Sequence, residues 1–249
     1  MKDAVVTSEG ARIRWVELPG SEPARVYVHG LGASAPVYFS ALTHEPVLRG
    51  RRSLLVDLLG FGISDRPAAF GYSLTEHAGA LAAALDAAGV TGAEVVGHSM
   101  GGAVSIVLAE RRPDLVSRLI LAEANLDPRP HGSKPTGSGI FAYSRDAFVK
   151  GGFAETLERV GPLWAATMRL ADPVALHATA VSLAEGTRPI MRDILVNLPM
   201  PRTFLIGERS EELAGRESLV AAGVDVVTIP DAGHNIMIDN PTAFAEAIA

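Results

Sequence analysis

Gly97-His98-Ser99-Met100-Gly101 is the stretch that decides the fold of this chain. It follows the β-branched run 93–96 and opens an apolar helical pattern that reaches Arg112. A serine on such a sharp strand-to-helix turn has a strained backbone, and small flanking residues are needed to avoid clashes. The motif also arises by chance in glycine-rich sequences, but here strand, motif and helix come in the required order. The stretch therefore predicts a nucleophilic serine, Ser99.

The sequence on both sides of this motif alternates short apolar runs with amphipathic stretches, which is typical of an α/β architecture. A capping box, Ser73-Leu74-Thr75-Glu76, predicts a helix that ends near Ala88. Strands are predicted at 12–18, 25–29, 53–57, 93–96, 119–122, 202–206 and 224–229. Further helices are predicted at 100–112, at 217–222 and from Pro241 onward.

The pattern changes between about Asp127 and Leu198, where no convincing strand is found. A Gly/Pro/Ser-rich link, 128–139, precedes helix-like pieces at 146–150, 154–160, 173–183 and 189–196. We therefore predict an α/β core made of residues 1–126 and 199–249. A helical cap, residues 127–198, is inserted between two strands of the core.

Composition excludes several classes of function. The 249 residues include no cysteine, so disulfides, thiolate metal sites and a cysteine nucleophile are excluded, and a reducing compartment fits. The formal net charge of −6 argues against nucleic acid as a partner. We find neither a membrane span nor the apolar region of a signal peptide. The chain is expected to be cytoplasmic, a monomer or homodimer, with a small-molecule substrate and no metal or organic cofactor.

Four segments in chain order resemble the α/β-hydrolase family over nearly the whole chain. His29-Gly30-Leu31-Gly32 resembles the oxyanion loop after the third strand, and 97–101 resembles the nucleophile elbow. Residues 57–65, DLLGFGISD, resemble the D-x-P-G-x-G-x-S segment, with Leu59 where proline is usual. Asp231-Ala232-Gly233-His234 resembles the catalytic-histidine loop. The resemblance implies an α/β-hydrolase fold: a mostly parallel central sheet, helices on both faces and an inserted helical cap.

The resemblance also assigns roles around Ser99. His234 follows the last predicted strand, where the family places its base, and the chain order serine, acid, histidine is the one expected on this fold. The backbone N–H groups of Met100 and, by resemblance, Leu31 are the expected oxyanion hole. The other histidines are interpreted without a catalytic role: His98 and His29 as packing residues, and His44, His77, His131 and His177 as carrying no motif.

The acid of the triad is less obvious. Most relatives place an aspartate after the strand at 202–206, but Gly207-Glu208-Arg209-Ser210 has a serine at that position. Glu211 or Glu212 is one alternative. Glu123 is the other, because it ends the apolar strand beside the elbow strand, at the edge where sites in open α/β sheets collect. A buried carboxylate there is costly unless it is paired. Zearalenone-lactone hydrolases resemble this arrangement, so Glu123 is favoured.

The expected function is that of a serine hydrolase that cleaves a carboxylic ester or lactone of a small apolar substrate through a Ser-His-Glu triad and an acyl-enzyme. Alternatives on the same triad are a carbon–carbon bond hydrolase, a lyase, a cofactor-free dioxygenase, a perhydrolase or a non-catalytic receptor. Epoxide hydrolases and haloalkane dehalogenases are disfavoured because they carry aspartate where Ser99 stands.

The predicted cap carries residues that could contact the substrate. Its apolar residues suit an apolar acyl group: Phe141, Tyr143, Phe148, Phe153, Leu163, Trp164 and Met168. Arg145, Arg169 and Arg188 are candidates for recognising an acid.

Overall fold

A mostly parallel β-sheet forms the centre of the molecule. In the computed structural model, which describes residues 1–129 and 137–249, the sheet has eight strands in the order β1-β2-β4-β3-β5-β6-β7-β8. The strands at the β1 edge pair antiparallel, and from β4 to β8 all neighbours are parallel. Their bounds are Lys2–Val5, Arg12–Leu18, Ser21–Val28, Arg51–Asp57, Ala93–His98, Val116–Ala122, Arg202–Gly207 and Val224–Ile229. The predicted α/β sheet is confirmed.

Helices cover both faces of this sheet. Those of the core are α1 Ala35–Phe39, α2 Leu74–Ala87, α3 Met100–Arg111, α9 Arg216–Ala221, α10 Ile236–Asp239 and α11 Pro241–Ile248. Successive residues of a strand point to opposite faces, so Val95 packs with residues of α2 and α3, whereas Val96 packs with residues of α1 and α11. The central strand β5 is therefore buried on both sides, as is typical of parallel strands.

The predicted capping box at the start of α2 is confirmed. The Ser73 Oγ accepts a hydrogen bond from the Glu76 N–H at 3.2 Å, and the Glu76 carboxylate accepts from the Ser73 N–H at 3.1 Å. These two bonds satisfy N–H groups that a helix leaves without intrahelical partners. The helix ends at Ala87, one residue before the predicted end.

Residues 127–198, called here the inserted segment, connect β6 to β7. In its described part, 127–129 and 137–198, the segment is helical and contains no strand. Its helices are α4 Arg145–Ala147, continued by a π-helical turn over Phe148–Gly152, then α5 Phe153–Arg159, α6 Pro162–Met168, α7 Pro173–Glu185 and α8 Met191–Asn197. Among the helices just named, α6 is the one without a counterpart in the predicted pieces. His131 and most of the predicted link 128–139 lie outside the described residues.

None of the helices in the described parts of the chain is long and apolar enough to cross a bilayer.

Candidate active site

Ser99 lies on a sharp turn between β5 and α3, at φ 51° and ψ −117°. A left-handed φ is uncommon for a residue with a side chain and stores strain. Close packing around the turn requires glycine on both sides. A Cβ on Gly97 would lie 2.7 Å from the Gly101 carbonyl oxygen, and a Cβ on Gly101 would lie 2.4 Å from the Val28 and His29 carbonyl oxygens. The turn thus holds the Ser99 side chain above the carboxyl end of the sheet.

His234 reaches Ser99 from the loop between β8 and α10. Its Nε2 lies 3.2 Å from the Ser99 Oγ, within the range in which a side chain can take a proton from a hydroxyl. About half of the His234 side chain, 54%, is exposed, because the ring borders an open cavity. The geometry thus brings together the predicted nucleophile and the predicted base.

Glu123 follows β6 directly and lies on the other side of the His234 ring. Its Oε2 is 3.5 Å from the His234 Nδ1, and only 11% of its side chain is exposed. Its Oε1 accepts a hydrogen bond from the Gly207 N–H at 2.8 Å. The backbone of Glu123 has a φ of 52°, so it too is strained. Such strain persists only where the surrounding structure imposes it.

The surroundings of Glu123 keep it ionised. Burial by itself raises the pKa of the carboxyl group, but the neighbouring His234 and Ser210 side chains and the hydrogen bond from the Gly207 N–H outweigh it, so the pKa ends below its ordinary value of 4.5. Ser210 stands where most relatives are expected to carry the aspartate. Here its side chain instead helps to lower the pKa of Glu123.

The two alternative acids are placed differently. Glu211 borders the same cavity as Ser99 and His234, but both Glu211 and Glu212 are exposed. An exposed carboxylate in high dielectric interacts weakly with a neighbouring imidazole. The geometry therefore favours Glu123 as the partner of His234, and its role remains a prediction.

Leu31 lies on the opposite side of Ser99 from Glu123, since β3 and β6 flank β5. Met100 is the first residue of α3, so its N–H has no acceptor within the helix. The Leu31 carbonyl accepts a hydrogen bond at 2.7 Å from the Trp164 Nε1 of the inserted segment. This bond fixes the loop that carries the Leu31 N–H. The predicted oxyanion role of both residues stays a prediction.

His98 ties the His234 loop to the elbow. Its Nε2 lies 2.9 Å from the His234 carbonyl oxygen; because a carbonyl only accepts, the His98 Nε2 is the donor. Burial and the neighbouring His234 lower the pKa of His98 to about 3, so its ring is neutral near pH 7. His29 likewise stays in the core, where its Nε2 accepts a hydrogen bond from the Leu58 N–H at 3.1 Å. Both contacts agree with the interpretation of these residues as packing residues.

A cavity of about 580 Å³ opens above Ser99. Two of the predicted apolar cap residues, Phe141 and Trp164, line it, together with Leu31, Tyr38, Ala180 and Leu183. Others contribute elsewhere: Phe148 and Met168 are buried in the core, and Leu163 is exposed. The inserted segment thus contributes both apolar side chains and the polar residues Arg129 and Ser138 to the cavity wall.

The arginine candidates lie away from this cavity's lining. Arg145, Arg169 and Arg188 are exposed, whereas Arg129 and Arg209 border the cavity. The Arg129 guanidinium lies 5.3 Å from the centre of the Phe141 ring. Sequence reasoning missed both cavity arginines because no periodicity in these loops indicates which residues face the site.

Asn125 is a further site residue that sequence reasoning missed. It borders the cavity, and its Oδ1 accepts a hydrogen bond from the Ser99 Oγ at 3.4 Å. Its spacing gave no signal, because the left-handed backbone of Glu123 interrupts the alternation that an extended strand would show.

Comparison with known proteins adds a family to this geometry. Residues 25–182 match the family model described as alpha/beta hydrolase fold. The chain is 36% identical over 94 residues to 2-hydroxymuconate semialdehyde hydrolase of Pseudomonas putida, covering 38% of this chain and 34% of that protein. Haloalkane dehalogenase 2 of Mycobacterium bovis is 28% identical and is matched over 97% of this chain and 91% of its own length.

Solved structures extend the likeness to nearly the whole chain. An esterase from Exiguobacterium antarcticum superposes with a TM-score of 0.81 at 21% identity, covering 98% of this chain and 96% of that one. This similarity concerns the fold. The first curated relatives are matched over only about a third of their own length, between 32% and 36%.

Proposed function

This chain belongs to the alpha/beta hydrolase fold family, and from that premise we propose that it is a serine hydrolase acting on a carboxylic ester or lactone. The observation that carries the proposal is the single line of polar atoms from Ser99 through His234 to Glu123. One ring nitrogen of His234 lies 3.2 Å from the Ser99 Oγ, and the other lies 3.5 Å from the Glu123 Oε2. This is the arrangement that activates a serine hydroxyl for attack on a carbonyl.

The proposed reaction begins with proton transfer from the Ser99 Oγ to the His234 Nε2 as the oxygen attacks the substrate carbonyl. The Met100 and Leu31 N–H groups hold the negative oxygen, and each such donor typically contributes about 100- to 1000-fold in turnover. Glu123, ionised and mostly buried, stabilises the imidazolium. His234 then protonates the leaving oxygen, and water hydrolyses the acyl-enzyme by the same steps in reverse.

The inserted segment supports a substrate of limited size with an apolar acyl part. We assign it the role of a cap over the core. It contributes Phe141, Trp164 and Leu183 to the cavity and holds the Leu31 loop through the Trp164 Nε1. A cavity of about 580 Å³ lies in the range of sites that enclose a small organic molecule.

A dehalogenase-like reaction is disfavoured despite the 28% identity to haloalkane dehalogenase 2, because such enzymes use an aspartate nucleophile where this chain has Ser99. Hydrolysis of a carbon–carbon bond is the second candidate. The match to 2-hydroxymuconate semialdehyde hydrolase favours it, and the same serine, histidine and acid would serve it.

The test combines a fluorophosphonate probe with p-nitrophenyl butyrate and a δ-lactone. Wild type should be labelled at Ser99 and turn over the esters, and Ser99→Ala should lose both properties. Ser117→Ala, at an exposed serine whose Oγ donates to the Gly92 carbonyl, is the matched control and should behave as wild type. Absence of both labelling and turnover in wild type would contradict the proposal. Labelling of Ser99 by the probe without turnover of the ester or the lactone would favour the carbon–carbon candidate.

A further inference from the structure

Asn125 brings a third polar side chain to the hydroxyl of Ser99. In the structure the Ser99 Oγ donates to the Asn125 Oδ1 at 3.4 Å, while the His234 Nε2 lies 3.2 Å from the same Oγ. A hydroxyl has one proton, so it serves only one of these acceptors at a time. The bond to Asn125 is long for an O–H···O contact, which leaves the hydroxyl free to turn toward His234.

The position of Asn125 excludes it from the oxyanion hole. It follows β6, and β6 and β3 lie on opposite sides of β5. The Leu31 N–H comes from the loop after β3, so Asn125 faces the reacting centre from the other side. Asn125 also borders the cavity and is half-buried. Its carboxamide can therefore contact a small molecule that approaches Ser99 and His234.

Acylation changes what the Asn125 Oδ1 has to bind. Once the Ser99 Oγ carries an acyl group it has no proton to donate, and the Oδ1 loses its donor. The next molecule to enter is the hydrolytic water, which has two protons. One of them points at the His234 Nε2, and the other needs an acceptor, because leaving it without one in a partly apolar cavity is costly.

We propose, on the basis of the proposed function, that the Asn125 Oδ1 holds this water and thereby sets the rate of deacylation. The water oxygen forms a bond to the acyl carbonyl carbon while one of its protons moves to the His234 Nε2. The second proton stays on that oxygen and donates to the Asn125 Oδ1. When the carbon–Oγ bond breaks, His234 returns its proton to Ser99, and the product leaves as the carboxylic acid. Holding the water at two points fixes its lone pair on the carbonyl carbon.

The experiment is stopped-flow kinetics of Asn125→Leu, a substitution of similar size that removes the acceptor. p-Nitrophenyl butyrate and phenyl butyrate serve as substrates, because they share an acyl group and differ in the leaving group. The variant should release about one p-nitrophenol per active site in a burst close to the wild-type acylation rate. Its steady rate should then fall roughly 10- to 100-fold, with kcat equal for the two esters and KM reduced in parallel.

Two further variants sharpen the result. Asn125→Asp keeps an acceptor oxygen and should recover most of the steady rate, whereas Asn125→Ala should resemble Asn125→Leu. Asn197→Leu, at an exposed asparagine of α8 whose side chain donates to the Asp193 carbonyl, is the matched control and should keep wild-type kinetics. Labelling by the fluorophosphonate probe at the wild-type rate checks that each variant is folded around Ser99.

The outcomes separate this proposal from the proposed function. If wild type neither labels nor turns over, the proposed function fails. If wild type turns over but Asn125→Leu shows no burst, or keeps a kcat that depends on the leaving group, then Asn125 does not hold the water. If Asn125→Asp deacylates as slowly as Asn125→Leu, the Oδ1 acceptor is not the group responsible.

Discussion

The His234 Nδ1 lies 3.5 Å from the Glu123 Oε2, so the acid beside the histidine comes from the end of β6 rather than from the end of β7. The backbone of Glu123 is left-handed, and its Oε1 accepts a hydrogen bond from the Gly207 N–H at the end of β7. β7, the strand after which most relatives carry the acid, here contributes the Gly207 N–H that donates to Glu123. The distance from the His234 Nδ1 to the Glu123 Oε2 is longer than a normal N–H···O bond.

Trp164 should affect turnover through the loop that carries Leu31. Trp164→Phe removes the Nε1 donor to the Leu31 carbonyl but keeps an aromatic ring in the cavity wall. One hydrogen bond contributes on the order of 1 kcal/mol, so kcat on p-nitrophenyl butyrate should fall about fivefold. Trp15→Phe is the control, because the Trp15 Nε1 donates to Glu17 on β2, far from the site. Equal kcat values in the two variants would show that the loop does not depend on Trp164.

Gly102 should resist the replacement that usually stabilises a helix. A Cβ there would lie 2.4 Å from the Cβ of Ala124, between Glu123 and Asn125. We expect Gly102→Ala to lower the free energy of unfolding by about 1–3 kcal/mol through overpacking and to reduce activity. Gly79→Ala in α2 is the control: its Cβ would meet nothing within 4 Å, so the protein should gain about 0.5–1 kcal/mol. Urea unfolding measures both, and a stabilised Gly102→Ala would contradict the packing argument.

His77 should make stability depend on pH. It is buried among Phe61, Phe70 and Tyr72, and burial, followed by repulsion from His29, lowers its pKa from 6.5 to about 3. The folded state therefore holds a neutral ring, while the unfolded chain takes up a proton below pH 6.5. Stability from this group is present above 6.5 and is lost as the pH falls toward 3.

The measurement compares wild type with His77→Gln by urea unfolding at neutral pH and at about pH 5. From neutral pH to about pH 5, the unfolding free energy of wild type should fall by about 2 kcal/mol more than that of His77→Gln. His44→Gln, at an exposed histidine, is the control and should leave the pH dependence of wild type unchanged. A constant difference for His77→Gln would show that the unfolded chain gains no proton relative to the folded state at this residue.

Much of this fold follows from local rules that sequence makes visible. β2 and β8 have the predicted bounds. Alternation of inward and outward residues marks the first, and a β-branched run marks the second. The Ser73 capping box marks the start of α2 because its two hydrogen bonds involve residues three positions apart. Short α6 was missed: its seven residues, Pro162–Met168, are too few to show a helical period.

The site was predictable where its residues follow strands and unpredictable where they lie in irregular loops. Ser99, Glu123 and His234 all come just after predicted strands, and parallel strands bring their carboxyl ends together. Arg129 and Arg209 reach the cavity from loops whose direction depends on contacts distant in sequence, such as the bond between the Arg209 N–H and the Ala232 carbonyl. Those contacts leave no periodic trace in the sequence.

The most direct test of the account is the turnover number of Glu123→Gln beside that of Glu211→Gln. The first change keeps the shape of the side chain but removes the charge that faces the His234 Nδ1. Loss of the acid in a related triad lowers turnover by about 10⁴-fold, and we expect a fall of roughly 100- to 10⁴-fold with fluorophosphonate labelling slowed in parallel. Glu211→Gln, at the edge of the same cavity, should keep kcat within about twofold of wild type. Near-full activity in Glu123→Gln together with its loss in Glu211→Gln would contradict the account.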